Sequence, residues 1–154
     1  MHLTFEQRGL LHFEEARIVH RNFSGAGSTY NREGDINFSV VIDTEEQMAA
    51  LVEQGWNVKE KPPKVDGEEP FRFLPIKVKF NDRGPNVYLV TGEKYNKLDE
   101  DSIDTLDDVD IANVDLIVRP YDWELRDGKS GRTAYLQSME VVQRFDPIAA
   151  KYEQ

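Results

Sequence analysis

Phe71-Arg72-Phe73-Leu74-Pro75-Ile76-Lys77-Val78-Lys79-Phe80 sets the period of this chain. Leu74, Ile76, Val78 and Phe80 fall on one side of an extended backbone. Phe71, Phe73, Lys77 and Lys79 fall on the other. A period of two with apolar residues on one side marks a strand buried on one face. Asn81-Asp82-Arg83-Gly84-Pro85 follows as a strong turn signal, and 86–90 resumes as strand.

The same reading extends outward in both directions. Segments 13–23 and 35–42 read as strands joined by a glycine-containing loop over 24–34, and 114–124 and 132–142 as strands joined by the hairpin loop 126–131. Residues 59–69, rich in Pro, Lys and Glu, read as an exposed connector. Two segments read as helix. Thr44-Glu45-Glu46-Gln47 has the form of a capping box, Met48, Leu51 and Val52 mark one face, and Gly55 supplies the left-handed stop. A second, brief helix is expected over 100–108, with Ile103 and Leu106 inward. Trp56 is expected in the core.

Many strands, hairpin turns and two short helices predict a mainly β fold. The acidic helix falls between the 86–90 and 114–124 strands. An oligonucleotide-binding (OB) fold, a five-stranded Greek-key barrel, carries a short helix between its third and fourth strands. The expectation is thus an OB-fold-like barrel with an added helix and hairpin elaborations; a β-sandwich would give a similar pattern. The 154 residues suit a single domain over 1–154, with 1–12 and 144–154 as terminal extensions.

Composition narrows the function classes. No cysteine is present, which removes disulfides, thiolate metal sites and cysteine nucleophiles and fits a reducing compartment. No apolar run approaches the length of a membrane helix, and the first residues lack the pattern of a signal peptide, so the expected location is the cytoplasm, with no membrane partner. His2, His12 and His20 adjoin no nucleophile motif, and neither a calcium-loop order nor a phosphate-binding glycine motif occurs. No enzyme activity, metal or cofactor is expected. A metal-dependent nuclease built on paired carboxylates is the enzymatic alternative. The formal charge of −10 opposes a polyanionic partner. Much of it lies in one segment, where Asp99, Glu100, Asp101, Asp104, Asp107, Asp108, Asp110 and Asp115 occur without a single Lys or Arg. The rest of the chain is close to neutral, and charge beyond about 8 Å is screened at physiological salt.

Three strands place aromatics beside cations away from the apolar face: Phe73 with Lys77 and Lys79; Arg119 with Tyr121 and Trp123; Arg21 with Phe23. Exposed rings next to Lys and Arg suit single-stranded nucleic acid, because bases stack on the rings and phosphates pair with the cations. Tyr30 and Arg32 on the 24–34 loop complete the candidate groove of Arg21, Phe23, Tyr30, Arg32, Phe73, Lys77, Lys79, Arg119, Tyr121 and Trp123. The plainer account is that any half-exposed antiparallel strand carries Lys and Arg opposite its core face, and that Tyr and Trp often close a core at its rim.

Arg21-Asn22-Phe23-Ser24-Gly25, Asn31-Arg32-Glu33-Gly34-Asp35 leading to Phe38, and Gly55-Trp56-Asn57-Val58-Lys59 together resemble the phage and prophage single-stranded-DNA-binding proteins. Arg119-Pro120-Tyr121-Asp122-Trp123 and Ala134-Tyr135-Leu136 extend the similarity over about 16–142. The resemblance implies an OB barrel, sequence-tolerant binding of single strands, and a role in phage replication or recombination beside proteins of those processes. Many such binders end in a flexible acidic tail, whereas Phe145 to Gln154 is only mildly charged, which argues against recruitment through a tail. A phage protein–protein module using the same aromatic face is the rival, and an exposed sheet edge leaves a homodimer open.

Overall fold

The computed structural model describes residues 1–144 and builds them into one mixed sheet of ten strands with one α-helix. In chain order the strands are β1 (His2–Phe5), β2 (Leu11–Ala16), β3 (Ile18–Asn22), β4 (Ile36–Val41), β5 (Lys59–Lys61), β6 (Phe71–Val78), β7 (Asn86–Thr91), β8 (Lys94–Leu98), β9 (Ile111–Glu124) and β10 (Ser130–Gln143). Helix α1 (Glu45–Glu53) follows β4, and a 3₁₀ segment (Ile103–Asp107) precedes β9. The strands lie in the order β1-β2-β9-β10-β6-β4-β3, with β5 on β6, β7 on β10 and β8 on β7. All pairs are antiparallel except those of β10 with β6 and with β7.

Two features organise this path. First, β2 and β3 are separated only by Arg17, yet β3 ends the path while β2 lies next to its other end. The ladder β2-β9-β10-β6-β4-β3 therefore starts and finishes on one continuous stretch of chain. Second, β10 serves two neighbours in turn: Ala134 and Tyr135 lie opposite Ile76 and Lys77 of β6, whereas Ser138 to Val142 lie opposite Asn86 to Val90 of β7. β6 and β7 thus run the same way along β10, and the Asn81–Pro85 turn steps between them instead of folding them into a hairpin. At that step β10 carries a bulge, since Leu136 pairs with Val118 and Ser138 with Ile117, leaving Gln137 over.

The inward positions of these strands make the core: Leu11 and Phe13, Phe38 and Val40, Leu74, Ile76 and Val78, Val87 and Leu89, Val114, Leu116 and Val118, and Ala134, Leu136, Met139 and Val141. Leu51 of α1, Trp56, and Ile103 and Leu106 of the 3₁₀ segment join them. Helix α1 starts where expected, with the Gln47 N–H donating to Thr44 Oγ1 at 3.1 Å. The return half of the capping box is not made, because the Gln47 side chain donates instead to the Met1 carbonyl at 3.2 Å. The helix ends on Gly55 (φ 91°), whose N–H and that of Trp56 satisfy the Val52 and Leu51 carbonyls.

Several expectations require correction. Residues 1–12 are not an appendage: β1 pairs with β2 from His2 to Phe5, Leu11 is fully buried, and the terminal amine meets Asp43 at 3.0 Å. The C-terminal extension lies, beyond Arg144, outside the described residues. The 59–69 connector contains β5, which pairs with β6, and 94–98 forms β8, whose alternation is too polar to announce a strand. The acidic helix is a 3₁₀ segment shorter than expected.

Candidate nucleic-acid interface

The outward residues of four adjacent strands fall into one transverse row. Lys77 of β6 lies opposite Asn37 of β4 on one side and opposite Tyr135 of β10 on the other, and Tyr135 lies opposite Arg119 of β9. The Arg119 guanidinium sits 5.0 Å from the Tyr135 ring centre, and Tyr121 meets the same ring edge-on at 6.0 Å. Further along the β9–β10 ribbon Trp123 is 37% exposed, and its indole N–H donates to Thr133 Oγ1 at 3.1 Å. That indole packs against Gly131, where a Cβ would come 2.5 Å from the ring. Lys77 and Lys79 are exposed, and Tyr121 is half-exposed.

The 24–34 loop stands beside this row and is held by its own polar side chains. Gly34 N–H donates to the Gly25 carbonyl at 2.7 Å, and the two glycines, both at positive φ, approach so closely that a Cβ on Gly25 would meet the Gly34 backbone at 3.1 Å. Asn31 donates to the Ala26 and Asp35 carbonyls and accepts from Asn37, the first residue of the row, at 2.8 Å. Asp107, in the acidic segment, accepts the Phe23 and Ser24 N–H groups at 2.8 and 3.0 Å and fixes the point where the loop leaves β3. So anchored, the loop presents Tyr30 almost wholly to solvent and leaves Arg32 exposed. A cleft of about 610 Å³ separates it from the sheet, lined by Tyr30, Asn37, Lys59, Lys77, Lys79 and Tyr135 among others.

Of the ten sequence candidates, Tyr30, Lys77, Lys79, Arg119 and Tyr121 thus gather around Tyr135 and the cleft beside it, Trp123 continues their phase along β9, and Arg32 is exposed on the loop. The other three do not join them. Phe23 is buried in the core and stacked on Phe38 at 5.2 Å. The strand phase turns over at His20, which sits at φ 53° where the β3–β4 register shifts, so Ile18 and Phe23 both face inward. Arg21 is committed to structure, with its Nη1 donating to the Leu106 and Val109 carbonyls at 2.9 and 2.7 Å. Phe73 shares the outward phase of Lys77, but it is only 7% exposed, covered by His20, Phe71 and the Lys61 ammonium. Desolvation, helped by Lys61, holds the His20 pKa below its ordinary value.

Tyr135 is the central residue absent from the sequence candidates. Its neighbours Ala134 and Leu136 are core residues, so the period of two in β10 puts it outward with Thr133. Other acids serve the backbone as Asp107 does: Asp99 caps the Asp101 and Ser102 N–H groups, and Asp115 accepts from Glu15 N–H. Hydrogen bonding from Ser102 keeps the Asp99 carboxyl below its ordinary range. Among the described residues no group of three or more His, Cys, Asp or Glu side chains is arranged to hold a metal, and no helix is long and apolar enough to cross a membrane.

The family model described as "Putative phage ssDNA-binding domain" matches residues 4–154. The chain belongs to this family. The solved single-stranded DNA-binding protein from bacteriophage Enc34 superposes at a TM-score of 0.58 with 14% identity, covering 94% of this chain and 87% of that one. A C-terminal truncation of it gives 0.55 and 14%, covering 94% and 92%. These likenesses show a shared fold. The single-stranded DNA-binding protein gp2.5 of bacteriophage T7 aligns at 0.41 with 11% identity over 89% and 87%. No curated protein matches the chain. Within the family setting, the aromatic and cationic row is the surface that needs a function.

Proposed function

We propose that this protein binds single-stranded DNA, tolerantly of sequence, along the row Asn37–Lys77–Tyr135–Arg119, flanked by Lys79, Tyr121, Trp123 and the Tyr30 loop. The observation that carries the reading is the register itself, which sets a cation on either side of an outward tyrosine across adjacent strands. A base stacked on a ring gains about 1–3 kcal/mol whatever its identity, and the flanking ammonium and guanidinium groups suit phosphates. The negative charge of the chain does not prevent this, since screening at physiological salt limits the reach of acids that lie away from the row.

The strand order supports an OB reading of the fold. With β2 and β3 taken as one bent first strand, the order reads first–fourth–fifth–third–second, the first strand serving both ends of the path, and the 3₁₀ segment falls between third and fourth in the chain. On this reading α1 and the β7–β8 hairpin are additions. The function is binding without turnover, serving phage replication or recombination.

The test is titration of a fluorescent oligo-dT at several salt concentrations against duplex of equal length. Preference for the single strand, with a log–log salt slope of about −0.7 per phosphate contacted, is expected. Equal affinity for duplex, or binding indifferent to salt, overturns the proposal, and divalent-ion-dependent loss of the oligonucleotide would replace it with nuclease activity.

A further inference from the structure

The outward surface of the β9–β10 ribbon changes sign at the Gln137 bulge. Before the bulge it carries Tyr121, Arg119 and Tyr135. Beyond it Glu140 lies directly opposite Asp115 of β9, with Tyr88 of β7 on its other side. Two carboxylates in directly opposed positions repel each other, and both repel phosphate. A polyanion lying on the row therefore meets a barrier if it continues along β10.

At this junction, where β6 stops and β7 starts, the surface opens into a cleft of about 510 Å³ whose lining includes Lys79, Asn81, Arg83, Arg119 and Gln137. Its wall is a pinned turn. Asn81 N–H donates to the Gly84 carbonyl at 2.8 Å, Gly84 N–H returns to the Asn81 carbonyl at 3.1 Å, and Asn81 Oδ1 accepts Arg83 N–H at 2.8 Å. Gly84 adopts φ 126°, a conformation other residues rarely take, and a Cβ there would crowd Asn86 N at 3.3 Å, so glycine suits this turn beside the bulge. Among the described residues, none of Lys79, Arg83 and Arg119 makes an ion pair with a carboxylate. Three such cations around one notch suit a ligand with repeated negative charge.

We propose that this notch is a phosphodiester site, which takes the backbone of a single strand as it leaves the row and turns it off the sheet. Arg83 and Lys79 contact phosphate there, Arg119 is shared between notch and row, and Glu140 with Asp115 closes the way along β10. The inference rests on the DNA reading above and adds an exit for the strand.

The test compares oligo-dT of about 5 and about 16 nucleotides, lengths near the two ends of the range of single-strand site sizes on such folds. It uses wild type, Arg83→Gln, Tyr135→Ala, and, as a cation control, Lys94→Gln on β8, opposite the last residue of β7. Arg83→Gln is expected to bind the long oligonucleotide about 3- to 10-fold more weakly and the short one unchanged, with a salt slope shallower by about 0.7 for each phosphate that the variant no longer neutralises. Lys94→Gln is expected to match wild type. Unchanged affinity and slope for Arg83→Gln on the long oligonucleotide, while Tyr135→Ala loses binding, overturns the notch and leaves the row standing. Equal losses in Arg83→Gln and Lys94→Gln reduce the effect to net charge and also overturn it. Failure of wild type to bind either length overturns both proposals.

Discussion

Arg119 and Tyr135 are direct cross-strand partners, with the guanidinium 5.0 Å from the ring centre. The pairing joins adjacent strands across a hairpin and places a permanent cation against the most central ring of the outward face. Cation and ring attract each other weakly at an exposed site, by about 0.5–1 kcal/mol, so the pair orders the ring without closing it off.

Tyr135→Ala should weaken oligo-dT binding by about 1–3 kcal/mol, the value of one base–ring stack, or roughly 5- to 150-fold. Tyr135→Phe should keep most of the affinity, since stacking needs the ring and not the hydroxyl. Fluorescence titration of both variants, with far-ultraviolet circular dichroism to confirm folding, decides this. Equal loss in the two variants would assign the effect to the hydroxyl.

How far the sequence disclosed this site depends on backbone regularity. In β6 and β9 the alternation holds, so the outward phase of Lys77, Arg119, Tyr121 and Trp123 was legible despite Pro120. In β2 and β3 it fails twice, at Glu15 and His20, both at positive φ. Each break moves one residue across the sheet, which carried Phe23 from the expected groove into the core. Burial of Phe73 beneath His20 and Lys61 depends on β5, a three-residue strand of charged residues that no local pattern announces. The joining of β6 and β7 along one neighbour was equally hidden, because a turn motif signals a reversal of direction but not the partner on either side.

Phe23→Ala should destabilise the fold by about 3–5 kcal/mol, the usual cost of deleting a buried phenylalanine. Affinity of the molecules that remain folded should change far less than with Tyr135→Ala. Urea denaturation and titration of the same sample separate the two effects. A stable variant with weakened DNA binding would return Phe23 to the interface.

Asp107→Ala removes the acceptor for two backbone N–H groups at the root of the 24–34 loop. Charged hydrogen bonds of this kind contribute about 1.5–3 kcal/mol each, less where water replaces the acceptor. The expected result is faster hydrogen exchange at the Phe23 and Ser24 amides, with DNA affinity lowered through a loosened Tyr30 loop. Unchanged exchange at both amides would rule out this anchoring role.

Asp122 and Arg132 supply the pH prediction. Arg132 donates to both Asp122 oxygens, at 2.7 and 3.1 Å, and to the Gln54 carbonyl at the end of α1, while its guanidinium lies 5.2 Å from the Trp56 ring. It therefore ties the β9–β10 ribbon to the helix. The hydrogen bond from Arg132 is the largest cause holding the Asp122 carboxyl below its ordinary value of 3.8. A carboxyl whose pKa is lower in the folded state binds more protons unfolded, so its stabilisation is complete above 3.8 and is lost as pH falls through the folded value. Asp122→Asn should accordingly be less stable than wild type near neutral pH, and the difference should shrink once the pH drops below 3.8. Urea midpoints of the two proteins across that range, followed through tryptophan emission, measure it. A difference that stays constant down to full protonation would mean that Asp122 acts through packing or polarity and not through its charge.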